Sequence, residues 1–99
     1  MTTPFWVRPG AFSPYAMAVT TPEQRGKLRR LALNAGLELV AVTGDSPRGP
    51  WTIRVRDTAV PQVYSSDGMT EWRDQRGDLY GLLVGALTVA ANAKEGVGA

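Results

Sequence analysis

The chain has 99 residues, 43% hydrophobic and 20% charged, enough for one domain around one core. Eleven basic residues against nine acidic ones leave a net charge of +2, too even a balance to mark a nucleic-acid binder by itself. Cysteine and histidine are both absent, which excludes disulfides, thiolate metal sites and imidazole acid–base chemistry.

Residues 1–20 read as an arm packed on the domain. Pro4, Pro9 and Pro14 interrupt it, and no basic start leads into an apolar run. It therefore does not read as a signal peptide, and a cytoplasmic location is expected. The prolines disfavour helix, so Phe5, Trp6 and Val7, and then residues 15–20, are expected as short strands. Its aromatic residues are too many for a solvated tail. Trp6 and Phe12 are candidates either for a lid over the core or for contact with a partner.

Thr21-Pro22-Glu23-Gln24 is a helix start. Thr21 can cap, Pro22 sits where a missing N–H costs nothing, and Gln24 can close a capping box. The helix is expected to run to Ala35 with Gly36 just beyond it. Leu28, Leu31, Ala32 and Ala35 share its inward face. Arg25, Lys27, Arg29 and Arg30 spread over the solvent side, and Glu23 and Lys27 are spaced to pair.

Residues 37–43, LELVAVT, read as a largely buried strand, and GDSPRGP supplies a turn. Residues 51–57, WTIRVRD, alternate. Trp51, Ile53 and Val55 share one face, and Thr52, Arg54 and Arg56 the other. A third short strand is expected at residues 62–65 and a turn at residues 66–68. The last helix is expected to begin between Thr70 and Asp78, with a short first piece around Trp72. Residues 21–95 thus form a single α+β domain, and residues 96–99 a disordered tail. The order is α-β-β-β-α, a three-stranded antiparallel sheet with two helices on one face. Double-stranded-RNA-binding domains resemble this order. They carry a lysine-rich start to the second helix, where this chain reads Glu71-Trp72-Arg73-Asp74-Gln75-Arg76.

The most hydrophobic segment, residues 78–93, spans about 24 Å as a helix, short of the roughly 20 apolar residues of a membrane span. At helical spacing Leu79, Leu82, Leu83, Ala86, Leu87 and Ala90 form a core stripe. Gly81, Gly85, Thr88 and Asn92 gather opposite, with Tyr80, Val84 and Ala91 on a flank. Each glycine costs about 1 kcal/mol against alanine inside a helix. A flat small-residue face on which a neighbour can lie gives them a reason.

Other groupings carry no chemistry. Asp67, Glu71, Asp74 and Asp78 recur every three or four residues, but Arg73 and Arg76 interleave with them, as on a solvated salt-bridged face. The serines at 65 and 66 have no activating base, and Gly44 and Gly49 form no phosphate loop. The expectation is a non-enzymatic protein without cofactor, metal or membrane contact. It acts by protein–protein interaction or homodimerisation, as a regulator, adaptor or inhibitor. The expected interface is Tyr80, Gly81, Val84, Gly85 and Thr88, with Trp6 and Phe12 from the arm. The alternative is weak nucleic-acid binding through Arg25, Arg29, Arg54 and Arg56. Nine arginines against two lysines, with abundant Ala, Gly and Val, resemble the small proteins of actinobacteria and their phages.

Overall fold

A computed structural model describes residues 11–96, with side chains through residue 94. The elements in chain order are α1 (Pro14–Ala18), α2 (Pro22–Asn34), β1 (Leu37–Gly44), β2 (Trp51–Asp57), β3 (Met69–Gln75) and α3 (Leu79–Gly96). The sheet is antiparallel in the order β1-β2-β3. Alternation on β2 sends Trp51, Ile53 and Val55 inward, all buried, under α3, while α2 packs on β1 and α3. The architecture is therefore α+β with both long helices on one face of the sheet, as the hydrophobic pattern requires.

α2 begins as its residues dictate. The Thr21 hydroxyl accepts from the Gln24 N–H, and the Gln24 side chain accepts from the Thr21 N–H, both at 3.0 Å. The helix stops before Gly36, whose φ of 69° suits glycine. Leu28 and Ala32 are buried and Ala35 is half-buried. Leu31, expected inward, is 45% exposed, and Leu33 is 76% exposed. α2 lies over the margin of the sheet, chiefly on β1, so its buried stripe is narrower than the sequence pattern.

α3 carries the larger load. Leu79, Leu83, Ala86, Leu87 and Ala90 are buried and Leu82 is half-buried. The Asp78 carboxylate accepts from the Gly81 N–H at 2.9 Å, satisfying an orphan donor of the first turn.

Three local expectations are corrected. Residues 15–20 form no strand; the chain there is mostly α1. The Ser13 hydroxyl caps it, and Pro14 sits where proline is tolerated. Residues 62–65 are likewise not a strand. The Asp67 carboxylate accepts the N–H groups of Val63 and Tyr64 at 2.9 and 2.8 Å, which folds this stretch into the β2–β3 loop. The third strand is β3, where a helical piece around Trp72 was expected. Gly68, at φ 71°, turns the chain into it. A Cβ there would lie 3.0 Å from Val60 and 3.1 Å from the Asp57 carbonyl. The expected strand at Phe5, Trp6 and Val7 lies outside the described residues. Of the expected tail, residue 96 belongs to α3 and the rest lies outside them.

Candidate interaction surfaces

The glycine face is where the helical wheel puts it. Gly81, Gly85, Thr88 and Asn92 are exposed. A Cβ added at Gly85 would meet nothing within 4 Å, and the Thr88 hydroxyl turns back to the Val84 carbonyl at 2.8 Å. The flank is different. Tyr80, Val84 and Ala91 are half-buried and pack against the chain's own core. The apolar edge of the stripe thus has an internal neighbour, while Gly85 faces open space and a Cβ at Gly81 would meet the Asp78 carboxylate at 3.4 Å.

Phe12 is 4% exposed and belongs to the core. It forms a parallel bridge to Val42 on β1, and the neighbouring Ser13 N–H donates to the Val42 carbonyl at 2.9 Å. Its side chain is therefore not offered to a partner. Trp6 lies outside the described residues.

The four candidate arginines do not come together. Arg25 turns toward its own chain, where one guanidinium nitrogen donates to the carbonyls of Met17 and Thr20 and to the Thr20 hydroxyl. It ties α1 to α2. Arg54 and Arg56 stand on the outer face of the sheet, but each has a carboxylate. Arg56 donates to Glu38 at 3.1 Å, and Arg54 pairs with Glu71, which also takes Arg73. Arg29 is exposed and makes no ion pair among the described residues. The guanidiniums of Arg54 and Arg73 hold the Glu71 carboxyl below its usual range.

The surface that the sequence pattern missed is a cleft of about 320 Å³ between α3, β3 and the β2–β3 loop. α3 stands mainly over β2, so the inner side of β3 is left open. Val55 and Leu37 lie at the cleft's base. Trp72 and Thr70 form the β3 wall, Val89, Ala90 and Ala93 the α3 wall, and Val60 and Gly68 the loop wall. Val89 is 57% exposed and Val60 36%, so apolar side chains rim the opening. Tyr64 and Val63, on the same loop, are still more exposed.

One end of the cleft is charged. Lys94 pairs with Asp57 at 2.9 Å and donates to the Gly36 carbonyl at 3.0 Å. The Thr58 N–H and hydroxyl reach the same carbonyl, at 3.0 and 2.7 Å. The hydrogen bond from Lys94, assisted by the Ala59 N–H, holds the Asp57 carboxyl below its ordinary value. Among the described residues no group of three or more His, Cys, Asp or Glu could hold a metal ion. No helix among them is long and apolar enough to cross a membrane.

Reading residues 70–76 as the start of a helix hid the cleft. Thr70 and Trp72 share one side of a strand, and that alternation, directly after Gly68, was the available signal. On α3, Val89 and Ala93 extend the core stripe toward β3. That excess of apolar width was a second signal. Compared with protein families, characterised proteins and solved structures, the chain matches none of them.

Proposed function

We propose that this chain is a non-catalytic interaction protein, a regulator, adaptor or inhibitor, that takes an apolar side chain of a protein partner into the cleft between α3 and β3. The observation that carries the reading is the cleft's rim. Val89, Val60 and Trp72 keep apolar surface in contact with water beside a cavity they already shape. Covering it removes that surface from solvent at about 25 cal/mol per Å².

Two further observations support a binding role over a catalytic one. The carboxylate in the cleft, Asp57, is held in its ionised form by Lys94, the reverse of what a proton donor at neutral pH needs. The other perturbed carboxylate, Glu71, lies on the opposite face of the sheet between two arginines. The nucleic-acid alternative has weaker support, because Arg25, Arg54 and Arg56 already have partners.

The test is capture from a lysate of the cells that make the protein, by the wild type and by Val89→Glu, a change at an exposed helix position that leaves the core intact. A partner retained by the wild type in high salt and lost by the variant supports the cleft. Retention by Val89→Glu together with loss by Gly85→Leu transfers the interface to the glycine face. Recovery only of nucleic acid, released by moderate salt, favours the arginines.

A further inference from the structure

β3 is an edge of the sheet. It pairs with β2 on one side, and among the described residues nothing pairs with it on the other. The bond from the Asp57 N–H to the Gly68 carbonyl, at 2.8 Å, sets the phase of the ladder. In an antiparallel pair, residues that exchange hydrogen bonds alternate with residues that do not. The register runs Val55↔Thr70, Arg54↔Glu71 and Ile53↔Trp72. Thr70 and Trp72 therefore bond inward to β2, while Glu71 and, by continued alternation, Arg73 turn toward the open edge, where the Arg73 carbonyl accepts from the Gln75 side chain at 2.8 Å and keeps a second lone pair. The bulge at Asp74, with φ 54°, bends the strand beyond them.

Charges on an edge strand ordinarily discourage pairing with another chain. Here they favour one arrangement. If two β3 strands run antiparallel about a two-fold axis at Trp72, Glu71 of each copy faces Arg73 of the other, twice over, and the intrachain Glu71–Arg73 pairs become part of a four-residue network of alternating sign. Those are also the residues whose backbone groups point outward. The neighbouring symmetric register sets Glu71 against Glu71, which is repulsive. A shift by one residue sets outward-facing backbone groups against groups already bonded to β2. The Trp72 side chains, half-buried on the inner face, then meet in a pair without direct hydrogen bonds, where side chains approach most closely.

We propose that two copies of this chain pair β3 to β3 in that register, joining two three-stranded sheets into one. There is room for the helices. α3 stands mainly over β2, and strands lie about 4.8 Å apart, so the two α3 axes are separated by about 14 Å. That exceeds the 8–10 Å of packed helices. The two clefts become one groove floored by the paired β3 strands. The inference does not rest on what the cleft binds, and it is tested on the purified chain alone.

Sedimentation at rising protein concentration should show a reversible dimer. Arg73→Glu, at an exposed position, should weaken it roughly tenfold, as should Glu71→Arg, because each replaces two attractive pairs by two repulsive ones. An equimolar mixture of the two variants should recover the dimer, since each then opposes the other's charge. Thr43→Glu, on the other edge strand, should leave it unchanged. Circular dichroism checks that the variants fold. Should Glu71→Arg not fold after losing its contact with Arg54, cross-linking replaces it. Trp72→Cys would place the only cysteine of the chain on the two-fold, about 4.5 Å from its symmetry mate and within disulfide reach. Mild oxidation should then link it faster than Thr43→Cys. A wild type that stays monomeric, a dimer unaffected by Arg73→Glu, or a Trp72→Cys variant that links no faster than Thr43→Cys overturns the proposal.

Discussion

The two edges of the sheet are finished in different ways by one chain. Beside β1, the segment ahead of α1 lies along the strand. Phe12 bridges Val42, Ser13 bonds its carbonyl, and Ala16 is fully buried behind them. Beside β3 no described segment plays that part, and the strand presents Glu71, Arg73 and a half-buried Trp72. The β1 edge is closed by hydrophobic burial, which is unselective and strong. The β3 edge carries charges, which are weaker and choose among neighbours. An edge closed by burial belongs to the fold, and an edge guarded by charge excludes every strand except one whose charges are complementary.

The sharpest way to break the contrast is Phe12→Ala. It removes a buried aromatic side chain from the closed edge and should cost about 3–5 kcal/mol of unfolding free energy in a denaturant titration. Gly44→Ala comes next. A Cβ there would clash with the buried Trp51 ring, so the ring must move, and a loss of about 1–3 kcal/mol is expected from the same titration. On the open edge, Trp72→Ala should cost only about 1 kcal/mol, because the side chain is half-buried, yet it should weaken both partner capture and dimer formation.

Acid sharpens the comparison in another way. Glu71 and Asp57 have carboxyls held below their unfolded values by Arg54 and by Lys94 respectively. Their contribution is complete above the unfolded values, near pH 4, and is lost as pH falls through the folded ones. Melting temperature should therefore hold from neutrality to about pH 5 and decline below about pH 4. Dimer dissociation should follow the same course as Glu71 gains its proton. The smallest effect is Gly85→Ala, remote from both edges. With nothing within 4 Å of the new methyl group, it should raise stability by roughly 0.5–1 kcal/mol in thermal melts and leave association unchanged.

What the sequence disclosed followed the strength of its periodic signals. β2 was legible residue by residue, because alternation on a central strand is enforced by a core on one side and water on the other. The α2 start was legible from four residues, since capping is local chemistry. β3 was not legible. Asp67, Glu71, Asp74 and Asp78, in and around it, fall at three- and four-residue intervals, which imitates a helical face, and its two large apolar residues, Met69 and Trp72, are three apart and give little alternation to detect. α1 was hidden by the prolines of the arm, the last of which, Pro14, occupies the helix position that tolerates it. The same errors concealed the cleft, which exists only once β3 lies beside β2. The glycine face was legible as geometry, whereas the packing of Tyr80 and Val84 against the core emerges only in three dimensions.

The carbonyl of Gly36 gathers Thr58 and Lys94, the latter 58 residues away along the chain. The chain must therefore have been made through Lys94 before that junction can close. Until then, the lower rims of α2 and β2 lack their clasp, and the cleft lacks its charged end. The cleft thus gains its charged end only after Lys94 has been made, so products truncated before Lys94 should be cleaved by proteases more readily than the longer chain.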